Sequence, residues 1–180
     1  MLKTFNVFNG DQIDNLPERF KPVKIPTKPM SIPRVEDFVS EECGAHLQVD
    51  VHHAACYVPA MDVIMMPTSE QFVSPEAWAS TLLHELTHWT ATKDRCDRGN
   101  MSTDKSSIEY AREELVAELG ACFMCFDLGI VSTPRKESAA YLQSWLKQFK
   151  SDPNFLFEAY ADANKAAKWC RDRAAAAVTA

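Results

Sequence analysis

The chain has 180 residues, 46% of them apolar and 10% aromatic, enough to bury about two-thirds of its unfolded surface around a single core. Formal charge is −6, with Lys and Arg scattered singly, so the counterion release that drives nucleic-acid affinity is weak and strong DNA binding is not expected. No run of about 18 apolar residues occurs and the first stretch lacks a signal-peptide core, which predicts a cytoplasmic protein with no membrane segment.

Residues 1–34 contain Pro17, Pro22, Pro26, Pro29 and Pro33, a density that forbids a long helix or a central strand and predicts an extended arm ahead of a folded domain over 35–180. A short helix is expected in "VEDFVSEECGA", ending near Gly44. Segments 46–52, 55–59 and 61–66 have near-alternating polarity and predict a small meander of strands. Ser74-Pro75-Glu76 supplies an N-cap, a first-turn proline and an acid at the positive end of the helix dipole, so a helix is predicted over 75–91. The loop "TKDRCDRGNMSTDK" is too charged for a core. A second long helix is expected over 107–128 with Gly129 beyond its end, then two more over 137–150 and 154–176. The pattern is α+β: a small sheet and a majority of helix.

Six cysteines (Cys43, Cys56, Cys96, Cys122, Cys125 and Cys170) are more than a chain of this length needs as staples, and without an export signal they predict reduced thiols. The lone C-x-x-C of Cys122 and Cys125, within an apolar helical stretch, reads as two buried structural thiols.

The chemistry concentrates in "TLLHELTHWTAT". On a helix, Trp78, Leu82, Leu86 and Trp89 form one stripe and Ala77, Thr81, His84 and His88 its neighbour, so the first is expected to pack and the second to be presented. Side chains at i and i+4 lie one above the other, and two imidazoles can reach one ion at about 2.0–2.1 Å. Glu85 points between the histidines and the apolar stripe, the place of a general base beside a water. The bland alternative is three polar groups on a packing helix.

The second long helix decides between them. Glu114 and Glu118 repeat at i, i+4 in "EELVAE", on an alanine-, leucine- and valine-rich run, and a buried carboxylate needs a partner. A zinc ion, one per chain, would take Glu114 as its third ligand beside His84 and His88, and Glu118 would hold a ligating histidine by its other ring nitrogen. Glu109 and Glu113 are assigned to a solvated face.

"FNVFNGDQIDNLP", "ACYVPAMDVIMMP", "LLHELTHWT", "YAREELVAELGACF" and "AAYLQSWLK", in this order, make the chain similar to the zincin-type metallopeptidase domain of the ArdC antirestriction family, found also in primase-like TraC and polyvalent proteins of mobile elements. The resemblance implies a zincin-like fold whose active-site helix carries HExxH, and one zinc held by His84, His88 and a glutamate of "EELVAE". The E-x-x-x-D/E pair of gluzincins maps onto Glu114 and Glu118, with Glu113 the alternative ligand. It also implies a single-stranded-DNA-binding domain upstream in full-length relatives, which the proline arm would follow. Ala91 departs from the pattern, where a glycine is expected after "HWT".

The expected activity is zinc-dependent hydrolysis of a peptide or protein substrate, with Glu85 as base. Tyr57 and Tyr110 are the candidate donors to the developing oxyanion. His52 and His53 are adjacent and point to opposite faces of a strand, His46 lies nearby, and none of the three is expected to be functional. Asp62 reads as a turn residue. The rival account is a non-catalytic, zinc-stabilised antirestriction protein that blocks a partner, and in it Glu85 has no structural purpose.

Overall fold

The chain's structure, a computed structural model, describes residues 13–17, 32–99, 102–130, 145–152 and 154–178. Most of the proline-rich arm and most of the helix expected over 137–150 fall outside the described residues; 145–151 are helical.

The first helix, α1 (Ile32–Asp37), passes directly into a π-helical turn, Phe38–Glu42, which buries Phe38 and Val39. Three strands follow: β1 (His46–Val49), β2 (Cys56–Val58) and β3 (Val63–Met66). They do not form the expected meander. The order is β1-β3-β2, with β3 parallel to β1 and antiparallel to β2. The reason is hydrophobic: "VIMM" is an unbroken apolar run that needs both faces covered, so β3 takes the centre and the more polar β1 and β2 take the edges. Asp62 turns β2 into β3 with φ +52°, a left-handed position that aspartate tolerates better than most residues.

Helix α2 (Pro75–Trp89) begins as expected: the Ser74 hydroxyl accepts from the Ala77 amide, and Pro75 occupies the first turn. Its end needs no glycine. Thr90 caps it in right-handed geometry, and its amide donates back to Leu86. The expectation of a packed stripe beside a presented one is too simple, because every residue from Trp78 to Ala91 is buried. The sheet and α1 cover one side of α2, and α3 (Ile108–Asp127) the other.

Helix α3 starts at Ser107, whose hydroxyl accepts from the Tyr110 amide, and stops at Gly129, φ +69°. Gly120 is where it meets α2: a Cβ placed there would stand 2.6 Å from Thr87 Cγ2 and 2.7 Å from Thr87 Oγ1. The last helix, α4 (Asn154–Val178), lies along α3, with Arg112 paired to Asp162 at 2.7 Å and Arg171 to Asp127 at 2.5 Å. One apolar cluster joins the sheet, α1, α2, α3 and α4, including Ile64, Met66, Trp78, Leu82, Leu86 and Met124. A second joins α3, α4 and Trp145, whose indole donates to the Ala111 carbonyl at 2.8 Å.

All six cysteines are free of disulfides. Cys125 is buried as expected, but Cys122 is exposed, because it shares the outward face of α3 with Phe126 one turn on, while Ala121, Met124 and Cys125 hold the core face.

Two outcomes follow from this packing. Gly120→Ala gains about 1 kcal/mol of helix propensity but forces α3 off Thr87 at an overpacking cost of about 1–3 kcal/mol. Thermal unfolding of the metal-free protein should therefore show a lower Tm, and an unchanged or higher one would remove the tight contact. Native alkylation followed by mass mapping should label Cys122 readily and leave Cys43, Cys125 and Cys170 unmodified until denaturant is added.

Candidate metal centre

Helix α2 carries His84, Glu85 and His88 at 3%, 7% and 8% exposure, and α3 faces them with Glu113, Glu114 and Glu118. The close approach at Gly120 brings these carboxylates within reach of the rings. His84 Nε2 and His88 Nε2 face each other at 3.2 Å, and Glu114 completes a triangle, 3.8 Å from His84 Nε2 and 3.6 Å from His88 Nε2. The three ligand atoms lie within 4.8 Å of one another, the one such group among the described residues.

The outer ring nitrogens point the other way. His84 Nδ1 is 3.5 Å from Glu118 Oε1 and His88 Nδ1 is 3.1 Å from Glu113 Oε1. An ionised carboxylate can only accept, so each contact calls for a proton on Nδ1. On neutral rings protonated in this way, each Nε2 presents a lone pair towards the other ring and Glu114. That donor set is satisfied by a cation. The spacing agrees, since ligands about 2.0–2.1 Å from a tetrahedral ion stand about 3.3–3.4 Å apart.

Glu113 is not on a solvated face, as its spacing suggested. Its side chain is 13% exposed and accepts from Arg98 Nε (3.1 Å) and Nη2 (2.7 Å). Burial alone would raise the Glu113 carboxyl, but hydrogen bonds and charge from His88 and Arg98 hold it down to about 2. Burial would lower His88, and the Glu113 hydrogen bond with the charges of Glu85, Glu113 and Glu114 raises it instead. Glu109, by contrast, is exposed.

Glu85 has a structural partner that the sequence did not reveal: its Oε2 accepts the Tyr57 amide of edge strand β2 at 2.9 Å. The Tyr57 hydroxyl is engaged elsewhere, donating to Asp62 Oδ1 at 2.8 Å, so Tyr57 meets Glu85 through its backbone. Tyr110 stands one helical turn before Glu114, half-buried. His46 and His52 are exposed, and His53 lies 3.4 Å from the Gln48 carbonyl, none of them with the cluster.

The loop after α2 is also more buried than its charge suggested. Arg95 pairs with Asp62, donates to the Trp89 carbonyl at 2.5 Å and lies over the Trp89 ring at 3.6 Å. Arg98 donates to the Thr87 carbonyl at 2.6 Å. Two guanidinium groups thus meet the negative end of the α2 dipole. No spacing rule marks either arginine in advance.

Comparison with known proteins places the chain in a family. Residues 33–162 match the zincin-like metallopeptidase family, and the chain belongs to it, within the ArdC/TraC-like group indicated by the sequence motifs. The DNA primase TraC of Escherichia coli is 37% identical over 159 residues, 88% of this chain and 14% of that protein. Protein y4eC of Sinorhizobium fredii is 34% identical over 170 residues, 92% of this chain and 52% of that one. The crystal structure of the antirestriction ArdC protein from plasmid R388 with Mn(II) bound superposes with a TM-score of 0.78 at 38% identity, over 97% of this chain and 63% of that one. Its metal-free form gives 0.76. The chain thus spans a small part of TraC and under two-thirds of ArdC. The fold is α+β and zincin-like, and no described helix is long and apolar enough to cross a membrane.

The Tyr57–Glu85 bond sets an expectation for Glu85 variants. Glu85→Gln keeps an acceptor for the buried amide and should unfold within about 1 kcal/mol of the parent. Glu85→Ala leaves that amide unpaired and should lose about 1–3 kcal/mol. Equal stabilities of the two by denaturant titration would show that the bond does not matter.

Proposed function

We propose that residues 35–180 form a metal-dependent peptidase domain in which His84, His88 and Glu114 hold one zinc ion and Glu85 is the general base. The observation that carries this reading is the convergence of two Nε2 lone pairs and the Glu114 carboxylate, with both outer nitrogens engaged by Glu118 and Glu113. The Mn(II) of the ArdC structure supports a divalent cation here. His and carboxylate ligands at a three-residue site with an open position favour zinc.

A cation held there would supply Lewis acidity, lowering the pKa of a bound water towards neutrality and polarising a carbonyl. Glu85 accepts the proton from the attacking water and passes it to the departing amine. The Tyr57 amide fixes one Glu85 oxygen and so limits which way the other turns. Tyr110 and Tyr57 are the candidate donors to the oxyanion, and the Tyr57 hydroxyl would have to exchange its bond to Asp62 to serve. Glu118 and Glu113 orient the two rings and keep their inner nitrogens basic. The substrate is a flexible protein segment.

A second reading has its own support: the relatives are named for antirestriction and primase functions rather than proteolysis. There the metal is structural and the domain blocks a partner protein, with DNA contacts left to other parts of longer relatives.

Metal analysis and an assay on an unfolded protein substrate test both. The parent should carry one zinc, His84→Ala, His88→Ala and Glu114→Ala should lose it, and a chelator should abolish hydrolysis that added zinc restores. Glu85→Gln should keep the metal and be inactive. Cleavage by that variant would remove the mechanism, and an antirestriction effect that survives it would select the second reading.

A further inference from the structure

Arg98 stands outside both helices of the site, yet its side chain is 1% exposed and joins the C-terminal end of α2 to Glu113 beside the metal centre. Nε and Nη2 grip the two Glu113 oxygens at 3.1 and 2.7 Å. Nη2 also donates to the carbonyl of Thr87, the residue before His88, at 2.6 Å, and Nη1 to Thr90 Oγ1 at 2.8 Å. Thr90 Oγ1 in turn donates to the Thr87 carbonyl at 2.6 Å.

We propose that Arg98 is a positioning residue of the metal centre: through Glu113 it fixes the His88 ring with Nε2 towards His84 and Glu114, so that the loop following α2 sets how tightly the ion is held. This rests on the metal-site reading above. A carboxylate on a free side chain turns readily, whereas one gripped at both oxygens by a guanidinium fork has a single orientation. Glu113 Oε1, so fixed, meets His88 Nδ1 at 3.1 Å. The direction of Nε2 is then set by a group that never touches the ion. Lysine offers a point charge rather than a fork and cannot hold both oxygens in plane.

Arg95 provides the control. It ties the same loop to α2 and to Asp62, and no hydrogen bond joins it to Glu113, Glu114 or Glu118 among the described residues. A merely structural loop arginine would behave as Arg95 does.

The test is zinc affinity by competition with a chromophoric chelator, with the Tm of each metal-free protein alongside. Arg98→Lys and Glu113→Gln should each weaken zinc about 10–100-fold. The double variant should lie within about threefold of the weaker single one, because both changes cut one chain of contacts. Arg95→Lys should lower the Tm and leave affinity within about threefold of the parent. Arg98→Gln, a donor without the charge, carries the same expectation as Arg98→Lys where the latter does not fold. The inference is overturned if the Arg98 variants bind zinc like the parent, or if the losses multiply in the double variant. It is also overturned if His84→Ala binds as tightly as the parent, and that result alone removes the metal site itself.

Discussion

The contact between Thr87 and Gly120 is the constraint on which the site depends. Thr87 lies between the two histidines of α2, and the missing side chain at Gly120 lets α3 close onto it. Only at that separation do the short reaches of Glu113, Glu114 and Glu118 meet the two rings. The same closeness excludes water and leaves His84, Glu85 and His88 buried, where unpaired polar groups are costly. Each outer nitrogen faces a carboxylate, Glu85 faces an amide, and the inner nitrogens face one another. Packing thus creates both the need for a cation and the cradle that suits it.

Around that core, the chain uses its charged loop as structure. Arg95 and Arg98 approach the C-terminal carbonyls of α2, and Asp62 links Arg95 to the hydroxyl of Tyr57. The edge strand, the end of the metal-site helix and the following loop are therefore joined by polar contacts independent of the apolar clusters. In both functional readings this frame is the same. They differ in whether Glu85, beyond holding the Tyr57 amide, also moves a proton.

Much of this was legible in residue order. Ser74-Pro75 marks the start of α2 because capping is local chemistry, and the i, i+4 spacings of His84 with His88 and Glu114 with Glu118 place each pair on one helix face. What failed was long-range. The sheet order depends on which strand has both faces covered, whereas chain order alone puts "VIMM" at the edge of a meander. Glu113 looked solvent-facing because its partner, Arg98, comes from a loop fifteen residues away with no periodic signal. Cys122 was placed inside by its apolar neighbours, although the helix turns it outward.

The central claim is that one ion sits between the Nε2 atoms of His84 and His88 and the carboxylate of Glu114. Anomalous diffraction at the zinc edge from metal-loaded crystals tests it most directly. The account predicts one strong peak within bonding distance of those three groups, with Glu118 and Glu113 still on the Nδ1 atoms. A peak bonded to Glu113 in place of Glu114, or one away from both histidines, would contradict it.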